Sequence, residues 1–141
     1  MDMSMPMFPR VLIVEDEVDL LDEVASYFRR KGQTVVTAGS YHEGLGILAD
    51  VSQPIDVLIS DARMPDGNGI DLIRAQTERA GDRCVCILMT GHLEQSQIAA
   101  DLGGVKVFHK PFAVSALYRE VSAALSGGVA AGLARANPRV A

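Results

Sequence analysis

The sequence predicts an α/β fold: a parallel sheet with helices on both of its faces. Two observations carry that expectation. Short apolar runs alternate with helical stripes along the chain, which is the pattern of repeated strand–helix units. The first run, Val11-Leu12-Ile13-Val14, is apolar at every position, as a central parallel strand covered on both faces must be. At 141 residues, 48% of them hydrophobic, the chain suits one domain with a proper core.

The elements follow in order. After the first strand, Leu21, Val24, Ala25 and Phe28 mark one face of a helix. Arg29-Arg30-Lys31 falls in its last turn, where cations complement the helix dipole, and Gly32 closes it. Thr34 to Ala38 reads as a second strand. Leu45, Leu48 and Val51 stripe a second helix, which Pro54 prevents from continuing. Ile55 to Ser60 is the third strand, followed by the turn-rich loop Met64-Pro65-Asp66-Gly67-Asn68-Gly69, whose glycines serve its backbone. Ile70 and Ile73 open a third helix, and Val85 to Met89 is the fourth strand. Glu94 to Leu102 is a short fourth helix with only Ile98 and Leu102 as an apolar pair. Val105 to Phe108 is the fifth strand, and Val114, Leu117, Val121 and Leu125 stripe the last helix. The folded domain therefore covers residues 10–126. A flexible leader is expected over 1–9, and a flexible tail or truncated linker over 127–141, where the text turns rich in glycine and alanine.

Composition removes several classes of function. The net charge is −5 and the pI about 5.1. With basic residues scattered, no clustered face exists to neutralise phosphates, which argues against direct nucleic-acid binding. No apolar stretch approaches a membrane span, and Met1 to Pro9 lacks the charged and apolar regions of a signal peptide. Cys84 and Cys86 alternate within the fourth strand, so both thiols can share a core-facing side. They are expected to be reduced, as suits a cytoplasmic protein, because a disulfide between them would strain the strand.

Chemistry gathers at one rim. In an open parallel sheet, ligands bind beyond the carboxyl ends of the strands. Glu15, Asp16 and Glu17 follow the first strand and Asp61 the third; Thr90 and Gly91 follow the fourth, and Lys110 and Pro111 the fifth. Crowded carboxylates either protonate or recruit a cation. An all-oxygen set without His or Cys suits Mg²⁺, which binds through one or two carboxylates plus a phosphate. With the charge so offset, Asp61 can act as a nucleophile toward phosphorus, with Lys110 and Thr90 placed to bind phosphoryl oxygens.

Four segments carry a resemblance. Val11-Leu12-Ile13-Val14-Glu15-Asp16-Glu17, Ser60-Asp61-Ala62-Arg63-Met64-Pro65-Asp66-Gly67, Met89-Thr90-Gly91-His92 and His109-Lys110-Pro111-Phe112 resemble the ordered motifs of response-regulator receivers, the CheY-like domains of bacterial two-component signalling. The resemblance implies a flavodoxin-like sheet in strand order 2-1-3-4-5. It implies Asp61 as phosphoacceptor, with Mg²⁺ held by Asp16, Asp61 and the Arg63 backbone carbonyl, and with Glu15 supporting the metal through water. Thr90 and Lys110 bind the phosphoryl oxygens, and the Lys110-Pro111 peptide is cis. A histidine kinase or phosphotransfer protein supplies the phosphoryl group, and an unidentified downstream protein reads it.

Two departures concern the output face. Receivers usually carry Tyr or Phe three residues before the lysine; here that position is Val107, and Phe108 points the other way by strand alternation. The stretch from Thr90 to Lys110 is also short. Together these shift the expected conformational response to the loop from Gly91 to Gln97 and the weakly striped fourth helix. His92, Arg63 and His109 are expected to face solvent. Two rival readings are weaker. A pseudo-receiver that docks without phosphorylation is at odds with the intact acids, Thr90 and Lys110. A phosphatase with an aspartyl nucleophile needs a second acid two residues on, where Arg63 stands.

Overall fold

The computed structural model describes residues 9–92, Gln97 and 105–136, with side chains described as far as residue 126. Five strands, β1 (Arg10–Val14), β2 (Thr34–Ala38), β3 (Val57–Asp61), β4 (Val85–Thr90) and β5 (Lys106–His109), form one sheet. All neighbouring strands run parallel, in the order β2-β1-β3-β4-β5. This is the order the resemblance implies. Helices α1 (Val18–Arg30), α2 (Tyr41–Ala49), α3 (Gly69–Ala80) and α4 (Val114–Ala136) connect or follow the strands. The helix expected over 94–102 lies outside the described residues, apart from Gln97.

Strand alternation sorts the core into two layers. Val11, Ile13, Val57, Ile59, Ile87 and Met89 face α1 and α4, where they meet Leu21, Val24, Phe28, Leu117 and Val121. Leu12, Val14, Leu58 and Leu88 face α2 and α3, with Leu48, Ile70, Leu72 and Ile73. Cys84 and Cys86 are buried in this second layer as free thiols. Their mutual hydrogen bond and burial push the Cys84 thiol up, so it stays protonated and unreactive.

α1 ends as its sequence suggests. Gly32 adopts φ 86°, its N–H donates to the Arg29 carbonyl, and the Gln33 N–H donates to that of Phe28. This pair of bonds satisfies the last carbonyls of the helix.

Several boundaries differ from expectation: the third strand starts at Val57 rather than Ile55, the fourth reaches Thr90 rather than Met89, and the fifth is Lys106–His109 rather than Val105–Phe108. Val51 is not on the second helix; it lies beyond its end and is 80% exposed. The Asp50 carboxylate accepts from the Ser52 N–H at 3.1 Å and from its hydroxyl at 2.6 Å. Such a local turn competes with another round of helix. The third strand runs one residue further than Ser60, so Asp61 is itself a strand residue. Finally, α4 continues in backbone to Ala136, ten residues past Ser126 where the tail was expected to begin. Gly127 and Gly128 weaken a helix by about 1 kcal/mol each, but the alanines that follow are the best helix formers, and the helix persists.

Candidate functional site

Four of the five strands bring polar groups to the same rim; β2 brings none of them. Just past β1 come Glu15, 1% exposed, and the exposed Asp16. β3 ends in Asp61, 7% exposed, and β4 in Thr90, 1% exposed. Just past β5, Lys110 reaches across: its Nζ lies 2.9 Å from Glu15 Oε1 and 2.9 Å from Asp61 Oδ1. Carboxylate oxygens of Glu15, Asp16 and Asp61 all lie within 4.8 Å of one another. The second Glu15 oxygen accepts from the Glu17 N–H at 3.0 Å. The resemblance implies that Glu15 supports the metal through water; its Oε1 faces Lys110, a pairing across 95 residues of chain that no local pattern announces.

The electrostatics follow from burial. Burial raises the Asp61 carboxyl, against the opposing hydrogen bond and charge of Lys110. Burial likewise raises Glu15, again opposed first by the Lys110 hydrogen bond. For Lys110, burial works to lower the ammonium, but the hydrogen bonds and charges of Asp61 and Glu15 prevail and raise it. One cation thus bridges two acids, with a third acid close by. Such a cluster favours any further cation that can enter. The donors are all oxygens at close spacing, which fits a hard divalent ion such as Mg²⁺. Asp16 and Asp61 could hold it directly, whereas both Glu15 oxygens already accept, from Lys110 and from the Glu17 N–H.

Local bonds fix the frame. The Ala62 N–H donates to the Met89 carbonyl at 2.9 Å and the Lys110 N–H to the Thr90 carbonyl at 2.8 Å, so the three rim strands are stitched at their ends. The Lys110–Pro111 peptide is cis, as expected. Thr90 Oγ1 accepts from the His92 N–H at 2.9 Å, which turns the hydroxyl toward the following loop. After Asp61, Arg63–Met64 and Gly67–Asn68 pair as a small antiparallel hairpin. The sequence reads this segment only as a turn-rich loop. Gly69 closes it: a Cβ there would lie 1.9 Å from the Asp61 carbonyl oxygen, so only glycine permits the approach. Arg63, His92 and His109 are exposed, as anticipated.

The aromatic question is also settled in position. Val107 packs against the α2–α3 layer and Phe108 against the opposite layer, where its ring meets Phe112 at 5.8 Å between centroids. Phe108 therefore does not substitute for an aromatic at 107.

Comparison with known families supplies the deciding observation. The model of the "Response regulator receiver domain" family matches residues 11–122. The chain belongs to that family. Among curated proteins, the response regulator SaeR of Staphylococcus aureus is 33% identical over 103 residues, 72% of this chain and 44% of that protein. The chain thus spans less than half of that relative's length. Among solved structures, a response regulator receiver domain protein from Clostridium thermocellum is 27% identical, with a TM-score of 0.72 over 89% of this chain and 97% of that one. A CheY-like receiver protein from Methanospirillum hungatei JF-1 shares the fold, with a TM-score of 0.79 at 24% identity over 86% of this chain and 96% of that one. As a receiver, the chain is a module of two-component signalling. No helix among the described residues is long and apolar enough to cross a membrane.

Proposed function

We propose that this receiver is a phosphorylation-controlled switch that accepts a phosphoryl group on Asp61, with Mg²⁺ held beside it by Asp16, Asp61 and the Arg63 carbonyl. The observation that carries the reading is the buried Asp61 carboxylate, 2.9 Å from Lys110 Nζ and within 4.8 Å of two further acids. An Asp61 oxygen attacks phosphorus in line as the bond from phosphorus to the donor's imidazole nitrogen breaks. Lys110 then moves from carboxylate to phosphoryl oxygens, and the Thr90 hydroxyl turns from the His92 N–H to donate to another. The metal, when bound, offsets the charge that gathers between Asp61 and the incoming group. A histidine kinase or phosphotransfer protein in the cytoplasm is the donor, and a separate downstream protein reads the result.

Incubation with acetyl phosphate and Mg²⁺ tests the site. Intact-mass measurement is expected to find one base-labile phosphoryl group on the native chain and none on Asp61→Asn, since an amide is no nucleophile. Undiminished labelling of that variant would overturn the assignment.

A further inference from the structure

Beyond the groups that touch phosphorus or metal, the hairpin after Asp61 is seated on a second element by contacts the sequence does not announce. The Asp66 carboxylate accepts from the Tyr41 N–H through Oδ1 and from the His42 N–H through Oδ2, both at 2.9 Å. These are the first two amides of α2, which have no partner within a helix. Ser40 Oγ takes the third, from Glu43, at 3.1 Å, and the Ser40 carbonyl the fourth, from Gly44. The start of α2 is thus completed by a residue 25 positions away in the chain.

A second contact presses the same two parts together. A Cβ at Gly67 would lie 2.3 Å from Cγ of the Tyr41 ring, so the hairpin backbone rests against the ring face. The hairpin passes this seat directly to Arg63, because Gly67 pairs with Met64 and Asn68 with Arg63. At its far end the Gly69 N–H donates to the Ala62 carbonyl at 2.8 Å.

We propose that Asp66 is a positioning residue for the metal: seated on the start of α2, it fixes the hairpin that carries Arg63 and so sets how tightly Mg²⁺ is held. This rests on the reading of Asp61 and its metal given above. Mg²⁺ requires near-ideal octahedral geometry, so a carbonyl ligand on a loose hairpin binds it less well than one held in place. A carboxylate also suits the positive end of the α2 dipole. The two amides, His42 first, hold the Asp66 carboxyl below its ordinary range, and the clamp stays charged at neutral pH.

The test compares Asp66→Ala, Asp66→Asn, Gly67→Ala, and Gly67→Ala combined with Tyr41→Ala. Mg²⁺ half-saturation is read from the rise in Tm with added Mg²⁺, and the clamp itself from amide exchange at Tyr41 and His42 in metal-free protein. Asp66→Ala is expected to need about tenfold more Mg²⁺, as removal of a group that orients a ligand does, and to exchange both amides faster. Asp66→Asn, which keeps an oxygen acceptor and guards against a variant that fails to fold, falls between it and the native chain. Gly67→Ala weakens binding, and removing the Tyr41 ring restores it. A lowered Tm with unchanged Mg²⁺ half-saturation in Asp66→Ala would mark a merely structural cap and overturn the inference. A native chain that binds Mg²⁺ but takes up no phosphoryl group overturns the Asp61 reading alone, and one that binds no Mg²⁺ overturns both.

Discussion

Along β1, the four residues Val11 to Val14 are apolar and fully buried; the next, Glu15, is almost as buried and carries a carboxyl group. β3 repeats the change, from Val57, Leu58 and Ile59 to Asp61. The strand interiors and the strand ends belong to one sheet, yet they obey opposite rules. In the interior every side chain agrees with its environment, and each adds stability by leaving water. At the rim, burial works against the charged form of two acids, and a single lysine offsets it. A protein keeps such a conflict where it has chemical use for it, and supports it with the consistency of the rest.

The contrast can be broken most forcefully from the interior. Leu58 is fully buried between β3 and the α2–α3 layer. Leu58→Ala is expected to cost about 2–5 kcal/mol in stability, through lost transfer energy and the cavity left behind. Below its lowered melting temperature the variant should still take up a phosphoryl group on Asp61 with native Mg²⁺ dependence. Chemical denaturation and labelling together check this, and a labelling defect in the folded variant would show that interior and rim are not separable.

A smaller effect on stability, but a sharper one on chemistry, is expected at the rim. Lys110→Ala removes the cation that bridges Glu15 and Asp61. Phosphoryl uptake from acetyl phosphate is expected to fall about 100-fold, the usual loss when one preorganised donor to a transition state is removed. Mg²⁺ binding should persist and even strengthen, because the acids lose their internal counter-charge. Single-turnover labelling alongside Mg²⁺ titration separates the two effects.

The same contrast explains what was legible in the sequence. Interiors announce themselves: Val11 to Val14 is apolar at every position, and the Leu21, Val24, Ala25, Phe28 spacing appears as the buried face of α1. The rim was legible as composition, because polar residues that recur after successive apolar runs converge when the runs lie parallel. Pairings across the rim were not legible. That Glu15 faces Lys110, and that Asp66 caps α2, depends on strand order and loop path, which no periodicity encodes. Gly67 illustrates the limit well. Read as a loop glycine, it is in fact the surface on which the Tyr41 ring rests. Val51 failed for the opposite reason: it continues an apolar stripe, but Asp50 turns the chain before the stripe can be used. The last helix passes two glycines that local propensity reads as its end.

The most direct test of the account is the stability of native protein and Asp61→Asn, metal-free and at saturating Mg²⁺, across pH. Burial raises both the Asp61 and Glu15 carboxyls. Their contribution to stability is therefore fully present below about pH 4, where unfolded carboxyls are protonated too, and is lost as the pH rises through the raised folded values. Without metal at pH 7, Asp61→Asn should be more stable than the native chain by about 1 kcal/mol, as expected when a residue kept for function is relieved of its conflict. That advantage should shrink as the pH falls toward 4, and saturating Mg²⁺ should reverse it by stabilising the native chain more than the variant. A variant that is less stable than the native chain at pH 7 without metal, with Mg²⁺ shifting neither, would contradict the account.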